Sequence, residues 1–498
     1  MPLGGLKLSE LIGALSHALD ITEGQPEGHC VRCCWIGMHV GRAMGLSDEA
    51  LWELYYTLLL KDLGCSSNAA RICQLYLTDD LSFKRDFKLV DGSLPKVLKF
   101  VVGHTGLGSA MGERLKAIAN IFRNGDELAQ ELIETRCTRG ADIARQLRFG
   151  EAVAMGIHCL DEHWDGGGRP ARLRGEAIPV FSRIALLAQV VDVFNVSDGV
   201  DAASWEVEDR CGSWFDPAVV AAFRRVAESA EFWERLAAPD LDRAVFALEP
   251  GRFVVPLDED YLDEIAMAFG QVVDSKSPYT AGHSSRVALY TDRIAQALEI
   301  APARRRWLKR AALLHDMGKL GVSNAILDKP GKLDAEEWAA VQRHAQFTEA
   351  ILSRIDAFGE LARVSGAHHE RLDGKGYPRG LREEAISLET RIITTADEML
   401  QEVYITIWRR ADRFEASRAS VMTWISTIAR NRAIDRLRAR GPLAYAEPVE
   451  ELEISDGSVG ADALIEAAQS GEALGKCLGE LDKRTETVIR TAFFEGVT

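Results

Sequence analysis

The stretch AALLHDMGKLG, residues 311–321, decides how this chain is read. Four apolar residues run into His315-Asp316, and Lys319 follows one helical turn later. Residues three and four apart share a helix face, so Lys319 belongs with His315 and Asp316. Upstream, ARRRWLKRAALLHDMG (303–318) repeats apolar residues at three- and four-residue steps, the period of a helix packed on one side. A second stretch, YTLLLKDLGCS (56–66), is nearly the same, with Lys61 where the histidine stands.

The likeness extends in both directions. His29 precedes Asp62 by 33 residues, and His283 precedes Asp316 by the same interval. Further on, EHWDGGGRPARLRGEAI (162–178) matches ERLDGKGYPRGLREEAI (370–386). Such self-similarity marks two homologous halves in tandem. Strand-like alternation is scarce; RFVVPLDED (252–260) is the nearest case and reads as a joint between domains. The expectation is a mainly α fold with a first domain over 1–250 and a second over 258–397.

With 498 residues and 47% hydrophobic content, the chain can build several cores. Its net charge of −16 repels phosphates, so a phosphate site must be made locally by metal ions or clustered Lys and Arg. That excludes a general nucleic-acid-coating role. Nine cysteines without regular spacing fit reduced thiols and a cytoplasmic location. No apolar run approaches a membrane span and the N-terminus lacks a secretory pattern, so no membrane partner is expected.

Five of the eleven histidines lie between 283 and 369: His283, His315, His344, His368 and His369. Asp316 and Asp397 bring the candidate ligands to seven. Imidazoles with carboxylates suit Fe, Mn, Zn or Ni, not Ca or Mg. Seven ligands are too many for one ion, whereas two ions bridged by one carboxylate can use them all. Asp316, flanked by His315, is the natural bridge. Two metals so placed can hold a hydroxide and clamp the oxygens of a phosphodiester.

The motifs YTAGHSSRV, LLHDMGKLGVSNAIL, KPGKLDAEEW, HHERLDGKGYP and RIITTAD carry a resemblance. Segment 258–397 resembles the HD-GYP family of cyclic di-GMP phosphodiesterases, a branch of the HD metallohydrolases. The resemblance implies tandem HD-type helical bundles, the second holding two divalent transition metals, Fe or Mn. It makes His283, His315, Asp316, His344, His368, His369 and Asp397 the ligands. It assigns Lys319 to the substrate phosphate, and Arg371, Gly376, Tyr377 and Pro378 to the substrate pocket. Some members hold a third metal through a Glu four residues before the first histidine; Tyr279 stands there, so two metals are expected. Ala345 departs from the proline usual after the histidine matched by His344, and the family's closing helix and loop after Asp397 are missing.

Aligned on the repeat, the first half keeps His29 and Asp62. Lys61 replaces His315, Cys137 replaces His344, Leu160 and Asp161 replace His368 and His369, and Gln189 replaces Asp397. The first half is therefore expected to be a metal-free copy serving packing, dimerisation or sensing. Cys30, Cys33 and Cys34 lie near His29, but no second cysteine pair completes a zinc site.

After residue 397 the texture changes. VYITIWRRADRFEASRASVMTWISTIARNRAIDRLRAR (403–440) is arginine-rich with interleaved aromatics. Segment 398–441 resembles region 2 of extracytoplasmic-function sigma factors, and 471–498 resembles the opening of sigma region 4. Between them, 442–470 has no Lys or Arg and reads as an acidic linker. This resemblance implies core RNA polymerase and promoter DNA as partners, with Arg430, Asn431, Arg432, Asp435, Arg436 and Arg438 facing DNA. The leading expectation is metal-dependent hydrolysis of cyclic di-GMP. A sigma-like transcription factor and a catalytically dead scaffold are the alternatives, and a homodimer is a further expectation.

Overall fold

The computed structural model describes residues 6–90, 93–251, 255–411, 414 and 421–439. The expected acidic linker and region 4-like tail, and the side chains of Arg436 and Arg438, lie outside the described residues. Among the described residues the chain is helical, with two isolated bridges, Cys211 to Phe215 and Asp373 to Arg382, and no strand. Of RFVVPLDED, residues 252–254 are not described; the segment leads into the helix Glu259–Asp274, whose start Asp258 caps by accepting the Tyr261 N–H at 2.7 Å. The mainly α expectation holds.

The chain divides into two compact units, one reaching Thr394 and the other beginning at Thr395. The first tandem half, and the second as far as Thr394, lie within the first unit. The division falls inside the helix Leu388–Arg410, which runs through the seam where the two resemblances meet. The second unit contains the remainder of that helix and Val421–Ala439.

The opening stretch folds as its pattern demands. Pro302 starts the helix Pro302–Leu314 at a position where its missing N–H costs nothing. Its last turn is buried on every side: Ala311, Ala312, Leu313 and Leu314 are each under 5% exposed. The helices Glu259–Asp274, His283–Ala297 and Gly359–Ser365 enclose it. Burying each leucine stabilises the fold by about 2 kcal/mol. The helix ends at His315 and the chain tightens into a 3₁₀ turn, Met317–Gly321. Asp48–Leu60 does the same in the first half, ending at Lys61.

Each half opens its histidine helix identically. Gly28 (φ 84°) and Gly282 (φ 67°) occupy left-handed backbone before His29–Ala43 and His283–Ala297, a conformation that strains side-chain-bearing residues. Nine residues upstream of each histidine stands a buried aspartate. Asp20 accepts the Gly28 and Cys30 N–H groups, each at 2.8 Å. Asp274 accepts the Ser284 N–H and its hydroxyl, the latter at 2.7 Å.

Candidate metal centre

Asp316 lies at the middle of the second half's histidine cluster, and its two oxygens face different partners. Oδ2 is 3.5 Å from His283 Nε2 and 3.2 Å from His315 Nε2. Oδ1 is 3.5 Å from His344 Nε2 and 3.6 Å from His368 Nε2. His344 and His368 present Nε2 to each other at 3.2 Å. Ligand atoms of Asp316, His344, His368 and His369 all lie within 4.8 Å of one another. One carboxylate with imidazoles on both sides is the donor arrangement of a bridged two-ion site.

Each imidazole is aimed by its own backbone. His315, His344 and His368 each bond through Nδ1 to the carbonyl three residues earlier, those of Ala312, Val341 and Ser365, every time at 2.6 Å. Nδ1–H is thereby committed and the Nε2 lone pair faces the cluster, the usual outer-shell orientation of a metal-binding histidine. Burial drives the His344 pKa down to about 3, so this ring is neutral at physiological pH. Burial alone would raise Asp316, but His315 and Lys319 outweigh it and hold the carboxyl ionised. His315 Nε2 and Asp316 Oδ1 are buried without a hydrogen-bond partner among the described residues. A buried acceptor left so is costly, and a cation satisfies it. The residues present therefore fit the binding of divalent transition metal.

The expected site residues fall as follows. His283, His315, Asp316, His344, His368 and His369 come together. Asp397 lies in the second unit on Leu388–Arg410, buried, and accepts the Gln401 amide at 2.7 Å. Three residues before it, Thr394 donates its hydroxyl to the His368 carbonyl at 2.7 Å, tying that helix's start to the histidine pair. Lys319 bonds Asp316 Oδ2 at 2.6 Å and lines a cavity of about 170 Å³ with His283, Asp274, Lys276 and Tyr279. Tyr279, at the position of the third-metal glutamate, is 77% exposed on that rim.

The glycine-rich turn packs against the histidine pair through Tyr377. Gly376 has no room for a Cβ, which would meet Glu370, Arg371 and the His369 carbonyl. Tyr377 stacks on His369, ring centroids 4.8 Å apart. The peptide before Pro378 is cis, as is that before Pro170. Arg371 is exposed and engages Asp373 at 3.0 and 3.2 Å. In the second unit, Arg430, Asn431 and Asp435 are exposed, while Arg432 donates to the Thr406 hydroxyl at 2.9 Å.

In the first half the corresponding cavity is filled by protein cations. Lys61 Nζ, fully buried, reaches His29 Nε2 at 3.0 Å, Gln189 Oε1 at 3.1 Å and the Asp62 carboxylate. Burial would strip its proton, but Asp62 outweighs that and raises its pKa. His29 in turn bonds Asp192 at 2.6 Å through Nδ1. The placement of Cys137 opposite His344 needs correction. A Cβ on Gly318 would meet the His344 carbonyl, and one on Gly64 would meet that of Arg136. Arg136 is therefore the counterpart of His344, and its guanidinium pairs with Asp161, the counterpart of His369. The Lys61 ammonium thus lies between the surviving His29 and Asp62, while ligand atoms of His29, Cys33 and Asp192, and those of Glu23, Asp62 and Cys65, each lie within 4.8 Å of one another.

Sequence reasoning passed over the supports: Asp274, Thr394, Thr348 (which bonds Gly318 N–H and the His315 carbonyl at 2.9 and 3.0 Å) and Glu370. Glu370 accepts the Arg379 and Leu381 N–H groups at 2.6 and 2.7 Å, and Glu162 accepts those of Ala171 and Leu173 at 2.6 and 2.8 Å. The repeat itself was the available signal: Asp20 and Asp274, like Glu162 and Glu370, are preserved at matching places.

The chain is similar to known proteins along most of its length. The HD domain family matches residues 110–198 and 268–417. The chain is 60% identical over 390 residues to 3'3'-cGAMP-specific phosphodiesterase 3 of Vibrio cholerae, covering 78% of this chain and 85% of that protein. A crystal structure of a cyclic GMP-AMP-specific phosphodiesterase from V. cholerae matches with TM-score 0.57 and 53% identity, covering 80% of this chain and 88% of that one. A cyclic di-GMP phosphodiesterase of Thermotoga maritima is 36% identical over 143 residues, 28% of this chain and 38% of that protein. The chain belongs to the HD-domain phosphodiesterase family.

Proposed function

We propose that the second half hydrolyses a phosphodiester bond of a cyclic dinucleotide, with 3'3'-cGAMP as the first candidate and cyclic di-GMP as the second. The carrying observation is Asp316, whose two oxygens face separate sets of imidazoles. The ranking of substrates follows the 60% identity to a 3'3'-cGAMP-specific enzyme; it departs from the cyclic di-GMP expectation.

His283, His315, Asp316, His344, His368, His369 and Asp397 would hold two divalent ions, Fe or Mn. Bound there, such ions supply Lewis acidity and a water of lowered pKa. Lys319, beside Asp316 at the cavity, places an ammonium where a phosphate oxygen gains charge during in-line displacement. Gly376, Tyr377 and Pro378, beside His369, would bound the substrate, with Arg371 exposed on the same turn. We place the reaction in the cytoplasm, where the eight described cysteines, all unpaired, stay reduced. The helix Val180–Asp198 is long and apolar enough to cross a membrane, but most of it is buried in the bundle.

The test is turnover of both dinucleotides by the manganese- or iron-loaded chain, resolved by chromatography. Replacing His315 and Asp316 together by Ala should lower turnover by at least about a hundredfold and reduce bound metal. Full activity in that variant would reject the site. A separate role of 398–441 toward core polymerase or promoter DNA is favoured only by the exposed Arg430. Pull-down of core polymerase by wild type but not by Arg430→Ala would support it.

A further inference from the structure

The first half sends one carboxylate into the second, and it lands behind the catalytic turn. Asp80 sits at the start of the helix Asp80–Phe87 and is fully buried. Its Oδ1 accepts the Asn324 N–H at 2.8 Å and the Ser323 hydroxyl at 3.2 Å. Its Oδ2 lies 3.5 Å from Lys276 Nζ and 3.9 Å from Lys84 Nζ, and Cys73 Sγ approaches Oδ1 at 3.7 Å. Lys276, itself 1% exposed, donates to the Leu320 carbonyl at 3.0 Å. Asn324 completes the mesh, its amide donating to the Lys276 carbonyl and to Asp328, both at 2.7 Å.

Residues 320–324 are the exit of the turn that presents Lys319. Asp80 therefore grips that turn at three points: directly at Ser323 and Asn324, and through Lys276 at Leu320. A second element of the first half presses on the same turn, where a Cβ on Gly321 would meet Ile21 Cγ2 at 2.8 Å. Burying a carboxylate between two ammonium groups is a poor way to gain stability, because desolvation offsets most of the attraction. It is a good way to set geometry, since charged hydrogen bonds are directional and short.

We propose that Asp80 is a positioning residue for the reaction of the second half: from the degenerate half it locks the 320–324 turn and so sets where Lys319 stands. This rests on the role given to Lys319 above. It supplies the first half with a function in catalysis that needs no ligand of its own.

The test uses the full manganese-loaded chain and the better cyclic dinucleotide. Asp80→Asn keeps the shape and one acceptor but removes the charge. Its kcat should fall about tenfold with KM within about twofold, while bound manganese stays at the wild-type level. In a Lys319→Ala background, adding Asp80→Asn should change kcat little further, because the two act through one group. If Asp80→Asn folds poorly, Ser323→Ala removes a single grip and should show a smaller kcat loss with the same non-additivity. Wild-type kcat in a folded, metal-loaded Asp80→Asn chain overturns the role, as does a full multiplicative loss in the Lys319→Ala background. Absence of turnover by the wild-type chain instead rejects the reading of the site itself, and this role with it.

Discussion

At the scale of the residue, the two halves solve one electrostatic problem in two ways. Each gathers a carboxylate and an imidazole in a dry interior, where an uncompensated charge is expensive. In the second half the donors Asp316, His315, His344 and His368 converge with lone pairs facing inward. In the first, Lys61 supplies the cation, held by Asp62, His29 and Gln189. Lys61→Met leaves Asp62 ionised and buried without its partner. It should cost about 3–5 kcal/mol, read as a lower midpoint in chemical denaturation, with bound metal per chain unchanged. The replacement of His315 by Lys61 was visible in sequence because both end the same apolar run. Arg136 was not, because it comes from a helix, Met111–Gln146, whose register against the turn is set by packing.

At the scale of the element, the HD turn works because two backbones touch. Gly318 lies so close to the His344 carbonyl that no side chain fits between them. That contact brings the helix Ala335–Leu352 against the turn and presents His344 to Asp316. Gly318→Ala should push the helix away, destabilise the fold by about 1–3 kcal/mol and lower bound metal; thermal melting and elemental analysis check both. The motif's glycine was legible as a turn residue. Its need for close approach was not, because the partner carbonyl is 26 residues away in sequence and only the packed helices bring it near. The capping signals were local and therefore readable: Asp334 accepts the N–H groups of Glu336 and Glu337, each at 2.9 Å, while Glu337 accepts that of Asp334.

At the scale of the whole molecule, buried charge joins the halves. Beside the Asp80 mesh, and wholly within the first half, lies a second buried cluster, Glu23 with Lys88 at 2.9 Å and Lys84 at 3.8 Å. Burial would raise Glu23, but Lys88 and then Lys84 overcome it and lower its pKa from 4.5 to about 2. A folded-state pKa below the unfolded value adds stability that is fully present above about 4.5. It is lost as pH falls towards about 2. Denaturation midpoints should therefore drop through that window in the wild type, and Glu23→Gln should flatten the drop. An unchanged slope would show that other carboxylates govern acid unfolding. Across the halves, Tyr261 donates to the Leu147 carbonyl at 2.8 Å, Ser66 to that of Val272 at 2.7 Å, Arg354 pairs with Glu27 and lies 3.5 Å from Asp242, and exposed Arg148 pairs with Glu264. The exposed pair adds little.

The sequence by itself determined the tandem repeat, the helical class, the clustering of imidazoles and carboxylates in the second half and the replacement of His315 by Lys61 in the first. These are properties of spacing and residue chemistry, and local helix geometry converts them into structure. Only the tertiary structure decided that Asp316 turns its two oxygens to different imidazoles, that Arg136 rather than Cys137 opposes the turn, and that Asp80 reaches Leu320–Asn324 from more than two hundred residues away. Those facts depend on how helices dock. Docking is set by the summed shape of many buried side chains, which no single period or motif records.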